Sequence, residues 1–154
     1  MTMLKKLLEV SSIEWQPQMV SIRAEVVYIQ VELSSLQESG YDVTEIDEWL
    51  GGFLDASSDC LAAELNAYAE ARRFDLGLCD KDKLLELYAK CKTPYYPWLK
   101  SLHEMIQRRQ ADCGEQADSP LMLLMACGTE MINANKRLMN SVDALIETTE
   151  IANP

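Results

Sequence analysis

The feature that most constrains the fold is the spacing of apolar residues between Gln18 and Glu38. These residues step by three and four without a break, and they are Met19, Ile22, Val26, Ile29, Leu33 and Leu36. The pattern predicts an amphipathic helix of about three heptads, because a half-buried strand would alternate with a period of two. Pro17 suits the first turn of this helix, and Gly40 suits its C-terminal end.

Helical spacing recurs over most of the chain. It predicts further helices near 44–75, 80–92, 95–111 and 120–150, and a short amphipathic helix at 3–10. The pair Gly51–Gly52 lies inside one of them and can kink or split it. Because long helices with short connections are typical of an antiparallel bundle, we expect an all-α fold of about five to six helices. Its long helices lie near 18–38, 44–75 and 120–150, in a single helical-bundle domain spanning 1–154.

The cysteines and the apolar runs bear on where the protein resides. The chain has five cysteines, and no two of them are close enough for a Cys-x-x-Cys metal or redox pair. An odd number also fits poorly with a complete set of disulfides, which favours a reducing compartment. Lys5 and Lys6 are followed by too few apolar residues for a secretory signal, and no apolar run approaches the roughly 18 residues of a membrane span. We therefore expect a soluble, cytoplasmic protein that does not enter a membrane.

Charge is distributed very unevenly along the chain, whose formal net charge is −11 from 14 bases and 25 acids. No Lys or Arg occurs between Ala24 and Ala71. The acids of this segment are Glu25, Glu32, Glu38, Asp42, Glu45, Asp47, Glu48, Asp55, Asp59, Glu64 and Glu70. They account for the whole net charge, because the rest of the chain holds 25 − 11 = 14 acids and 14 bases. Since phosphate contacts supply most of the affinity for nucleic acid, direct nucleic-acid binding is not expected.

Five of these acids are predicted to form an acidic stripe on the helix near 44–75. At 100° per residue they fall within an arc of about 80°, and the apolar residues centre on the opposite side. The acidic stripe consists of Glu45, Glu48, Asp55, Asp59 and Glu70. Three interpretations are open: a solvated face that keeps the protein soluble, a contact with the more basic segment 72–109 of the same or a second chain, and a surface that attracts a basic protein partner.

A second distinctive segment, Tyr95-Tyr96-Pro97-Trp98, is predicted to form an elbow between two helices. Aromatic clusters of this kind often cover the end of a bundle core. Exposed Tyr and Trp side chains also anchor many protein interfaces. We therefore include this aromatic elbow, defined as Tyr95, Tyr96 and Trp98, among the predicted partner-binding residues.

One set of carboxylates resembles a metal-dependent enzyme. Glu45 and Glu48, with Asp55 and Asp59 a few turns later, are similar to the carboxylate helix pair of MazG-type all-helical nucleotide pyrophosphohydrolases. The resemblance implies that carboxylates at i and i+3 hold Mg²⁺ for nucleotide hydrolysis. It covers about 15 residues (45–59), and the family's second Glu-x-x-Asp motif occurs only at Glu115–Asp118, in a predicted loop. No Walker loop, dinucleotide-binding glycine motif or zinc pattern occurs, so neither a cofactor nor a metal site is predicted.

These patterns favour an acidic helical protein–protein interaction module that acts by occupying the surface of a basic protein partner. Inhibitors, immunity or antitoxin-like proteins, secretion chaperones and anti-defence decoys are often small acidic bundles, although this is an analogy at the level of fold. The alternative function is the Mg²⁺-dependent hydrolase. A second alternative is a structural subunit that forms a homodimer through residues 18–38.

Overall fold

The computed structural model describes residues 2–151, apart from the side chains of residues 92 and 93. Six α-helices occur in this range: α1 (Met3–Val10), α2 (Gln16–Glu38), α3 (Thr44–Asp75), α4 (Lys81–Lys92), α5 (Tyr96–Cys113) and α6 (Ser119–Glu150). A π-helical segment, Ser11–Trp15, joins α1 to α2, and a 3-10 turn, Thr93–Tyr95, joins α4 to α5. No helix in residues 2–151 is long and apolar enough to cross a membrane.

The helices form four antiparallel rods, which confirms the predicted all-α bundle. The backbone N–H groups of Met3 and Leu4 donate to the Asp75 carboxylate at 2.7 and 3.0 Å, so the start of the first rod meets the end of α3. Lys81 Nζ donates to the carbonyl oxygen of Glu150 at 2.7 Å, so the start of the third rod meets the end of α6. Helical turns rather than loops join α1 to α2 and α4 to α5, so the six α-helical segments make only four continuous helical rods. Counted as rods, the expected five to six helices are slightly too many.

The apolar residues predicted from the spacing of α2 lie in the core. Met19, Ile22, Val26, Ile29 and Leu33 are all buried, and α2 packs closely against α6. Ile22, Val26, Ile29 and Leu33 belong to a buried cluster that draws side chains from all six helices, and the partly buried Leu36 packs against it. The apolar residues of segment 18–38, on which the expectation of a homodimer rested, therefore pack against other helices of the same chain.

Helix α3 runs through Gly51–Gly52 without a break. An added Cβ at Gly52 would lie 2.0 Å from Cη2 of Trp98, so the indole of α5 occupies the space that a side chain would need. The equivalent position at Gly51 has no neighbouring atom within 4 Å. Gly52 thus permits close contact between α3 and α5, and the glycine pair does not split α3.

Candidate interaction surface

The acidic stripe lies along the side of α3 that faces away from the core. Glu45, Glu48, Asp55 and Asp59 are exposed, and Glu70 is partly exposed. The apolar positions of α3 point inward because they recur every three to four residues, which leaves the intervening carboxylates on the outer side.

Basic residues of the same chain pair with the two ends of the stripe. Arg108 of α5 donates a short hydrogen bond to Glu45, and Arg109 lies 3.8 Å from the other oxygen of that carboxylate. Glu70 forms an ion pair with Arg73 at 3.7 Å. Exposed pairs of this kind contribute only about 0–1 kcal/mol to stability. Part of the stripe therefore meets segment 72–109 of its own chain, which was one of the three open interpretations.

The middle of the stripe is different. Among the side chains that the structure describes, Glu48, Asp55 and Asp59 have no ion-pair partner and no side-chain hydrogen bond. At 100° per residue these three carboxylates fall within about 40° of one another on α3. We call them the stripe centre. All three carboxylates are exposed to solvent.

The side chain of Trp98 adjoins the stripe centre. Its ring packs against Gly52, which lies on α3 between Glu48 and Asp55. The indole N–H of Trp49 donates to the carbonyl oxygen of Trp98 at 2.8 Å and fixes the start of α5 against α3. A shallow depression of about 290 Å³ opens beside this contact, and Glu48, Trp98 and Arg108 are among its lining residues. The fold thus places one residue of the aromatic elbow next to the acidic stripe, although they are about 40 residues apart in sequence.

The other two aromatic residues of the elbow point elsewhere. Tyr95 is buried and its ring stacks on Phe53 with a centroid distance of 5.0 Å. Burial raises the pKa of its hydroxyl to about 12. From this position Tyr95 cannot contact a partner, so its prediction as a binding residue is corrected to a core role. Tyr96 is 63% exposed and lines a separate cavity of about 580 Å³ between α5 and α6, together with Lys100, His103 and Lys136.

One acid of the cation-free segment is buried. Glu64 is 2% exposed, and its Oε1 accepts hydrogen bonds from Ser11 Oγ at 3.0 Å, Gln16 Nε2 at 2.7 Å and Tyr68 Oη at 2.6 Å. Burial and the hydrogen bond to Glu64 raise the pKa of Tyr68 to about 12. Ser11 is the first residue of the π-helical segment, and its hydroxyl reaches Glu64 of α3. This cluster joins the first two rods, and its carboxylate does not reach the surface.

Sequence reasoning missed a groove between α2 and α3. Two cavities of about 410 and 380 Å³ lie along it and share Gln30 and Leu54 as lining residues. The available signal was a second row of apolar residues on the exposed side of α2, formed by Val20, Val27 and Val31. A helix that is apolar on two sides is usually covered on both, so this row could have indicated a further contact surface.

The carboxylates that resemble a hydrolase site do not gather into a metal site. Within residues 2–151 no group of three or more His, Cys, Asp or Glu side chains is placed to hold a metal ion. Arg108 hydrogen-bonds to one oxygen of the Glu45 carboxylate, and Arg109 lies 3.8 Å from the other.

Comparisons with protein-family models, with curated protein sequences and with solved structures give no match for this chain. The fold itself defines a four-rod, all-α antiparallel bundle. The case for a function therefore rests on the charge and shape of the surface.

Proposed function

We propose that the protein is an acidic interaction module that occupies the surface of a basic protein partner, with the stripe centre as the main contact. One observation carries the proposal: Glu48, Asp55 and Asp59 form a row of exposed carboxylates without an ion-pair partner among the described side chains. The row lies in the segment that holds eleven acids and no base.

Electrostatics supports this choice. Asp55 and Asp59 are four residues apart, and like charges at this spacing cost a few tenths of a kcal/mol, so this pair slightly weakens the isolated helix. A basic partner would remove that repulsion, and the field of a chain with a net charge of −11 would speed the encounter. Trp98, which is partly buried beside the row, supplies an aromatic surface of the kind that dominates binding energy in many interfaces.

The remaining predicted contact residues are expected to contribute less to the proposed interface than the stripe centre does. Glu45 and Glu70 already pair with Arg108 and Arg73, so a partner would have to displace or extend those pairs. Tyr96 is exposed on the α5–α6 side and would contact only a partner large enough to reach around α5. We propose the cytosol as the site of action, which agrees with the five free thiols.

A matched pair of variants tests the proposal. The stripe variant carries Glu48→Gln, Asp55→Asn and Asp59→Asn, and the control variant carries Glu9→Gln, Asp112→Asn and Glu115→Gln at exposed positions elsewhere. Both lose three negative charges, so a difference between them reports position rather than net charge. Affinity capture from the native source is followed by association kinetics with the purified partner. We expect capture of a basic protein by the wild type and the control but not by the stripe variant, with an association rate that falls steeply as salt is added. Equal capture by both variants would refute the proposed role of the stripe centre.

A further inference from the structure

The apolar residues of α2 form two separate rows. The first row is buried in the bundle, whereas Val20, Val27 and Val31 of the second row are 59%, 56% and 62% exposed. At 100° per residue the second row spans about 40° and lies roughly 140° around the helix from the first. Apolar rows on two sides of one helix are typical of a helix that is covered on both sides.

Helix α3 contributes a matching row on the same side of the molecule. Leu54, Leu61 and Leu65 are 37%, 39% and 58% exposed and also fall within about 40° of one another. Leu54 and Leu61 line the groove opposite Val27. Its floor includes the buried side chains of Val26, Leu33 and Leu50. Val27, Leu54 and Leu61 thus meet in one mostly apolar part of the groove, whereas the part nearer Val43 also carries Thr44 and Asp47. Contiguous exposed apolar surfaces mark interaction sites.

The groove has the dimensions of a helix. It extends along α3 from Val43 to Leu61, which corresponds to about 27 Å at 1.5 Å per residue. The backbones of α2 and α3 make fewer close contacts with each other than the remaining neighbouring rods do. A guest helix of about five turns fits this length, and helix-in-groove binding uses apolar side chains at i, i+3, i+4 and i+7.

Charge identifies the chemistry of the guest. From Ala24 onward both walls of the groove belong to the segment without Lys or Arg, and Arg23 lies at one end. Asp47 lines the groove, and the stripe centre lies about 120° around α3 from Leu54 and Leu61. Cations on the flank of a guest helix would therefore reach Asp55 and Asp59. A second copy of this chain would instead bring two acidic segments against each other.

We propose that the groove between α2 and α3 binds an amphipathic, basic helix of the protein partner. The apolar face of that helix covers Val27, Leu54 and Leu61, and its Lys and Arg residues face the stripe centre. This inference rests on the proposed function and adds the structural class of the partner and the place where its apolar side chains go.

The probe is a synthetic 18-residue helical peptide of Leu and Lys, with Leu at i, i+3, i+4 and i+7 spacing and a fluorescent label. A scrambled peptide of identical composition, with Leu distributed around the helix, controls for attraction between opposite net charges. Fluorescence anisotropy measures the affinity of each peptide for the wild type and for three variants. The groove variant is Val27→Gln with Leu61→Gln, the surface control is Leu76→Gln with Leu78→Gln, and the charge variant is Asp55→Asn with Asp59→Asn. Circular dichroism shows whether each variant is folded, and the substituted side chains are exposed in every case.

We expect the amphipathic peptide to bind the wild type and the surface control roughly tenfold or more tightly than the scrambled peptide does. The groove variant should lose that preference at every salt concentration. The charge variant should keep the preference but show a weaker dependence on salt. Equal binding of the two peptides, or unchanged binding to the groove variant, overturns the inference. The proposed function survives that result if the native partner is still lost from the stripe variant.

Sedimentation of the isolated protein tests the competing occupant. The inference predicts that a groove variant and the wild type have the same oligomeric state. A wild-type dimer that dissociates in the groove variant would show that a second copy covers the groove, and would overturn the assignment of a basic helix.

Discussion

The contact between Gly52 and Trp98 allows a sharp test, because the neighbouring Gly51 provides a matched control. Both glycines lie in the interior of α3, where replacement by Ala should favour the helix by about 0.5–1 kcal/mol. At Gly51 a new methyl group meets no atom within 4 Å. We therefore expect Gly51→Ala to increase the free energy of unfolding by that amount.

Gly52→Ala should instead decrease the free energy of unfolding. Its Cβ would lie 2.0, 2.3 and 2.7 Å from Cη2, Cζ3 and Cζ2 of Trp98, whereas carbon atoms pack at about 3.5–4.0 Å. The ring must move by more than about 1 Å. If it gives up about 100 Å² of buried apolar surface, the loss is about 2.5 kcal/mol at 25 cal/mol per Å². After the helix-propensity gain of about 1 kcal/mol, the net destabilisation is about 1–2 kcal/mol.

Urea unfolding followed by far-UV circular dichroism gives the free energy of unfolding of both variants, which are compared at equal m-values. We expect their unfolding free energies to differ by about 2–3 kcal/mol, although the substitutions are adjacent and chemically identical. In a Trp98→Ala background, Gly52→Ala should stabilise like Gly51→Ala, which gives a coupling energy of similar size in the double-mutant cycle. If Gly52→Ala stabilises the wild-type protein as much as Gly51→Ala does, the indole does not occupy the position described and the reasoning fails.

Three further predictions concern the joints of the bundle and its buried thiols. Asp75→Ala should lower the free energy of unfolding by about 1 kcal/mol, because it removes the acceptors of two N–H groups at the start of α1; urea unfolding against an Asp112→Ala control checks this, and equal effects would contradict it. Tyr68→Phe should cost about 1–2 kcal/mol in the same assay, because it removes a donor to the buried Glu64 carboxylate, and an effect near zero would argue against that bond. Burial raises the pKa of the Cys60 and Cys91 thiols from 9.0 to about 12, so the folded chain retains protons that the unfolded chain releases above pH 9. The contribution of these thiols to the free energy of unfolding should therefore be fully present below pH 9 and be lost between about pH 9 and 12. The Cys60→Ala, Cys91→Ala variant should show a smaller decrease in unfolding free energy between about pH 8 and pH 10.5 than the wild type does. An identical decrease in the variant would mean that these thiols do not contribute.

Local spacing predicted the elements of this fold well. Residues such as Ile22 and Ile29 recur every three to four positions, and the helix they predicted is present with its apolar side buried. Helix α3 was also predicted with nearly its observed bounds, 44–75. The joints were harder to predict, because Ser11–Trp15 and Thr93–Tyr95 continue as π and 3-10 turns that depend on contacts with other rods.

The candidate surface was only partly predictable. The exposure of Glu48, Asp55 and Asp59 followed from their angular position on one helix. The burial of Tyr95 did not, because it depends on Phe53 of α3 lying beside the turn between α4 and α5. Pairing of Glu45 with Arg108 likewise joins residues 63 positions apart, which no spacing rule relates.

The sequence by itself determined the helices, the buried row of α2 and the concentration of negative charge between Ala24 and Ala71, since each depends on residues within a few turns of one another. Only the tertiary structure decided which of the described carboxylates remain unpaired, how Trp98 comes to adjoin the stripe centre, and where a groove lies open between α2 and α3. The physical reason is that these properties depend on contacts between different rods. Whether a cation, a ring or an exposed leucine contributes to a surface is determined by the neighbour that packing places beside it. Helical spacing places a side chain on one side of its own helix, and the arrangement of the other rods determines what that side meets.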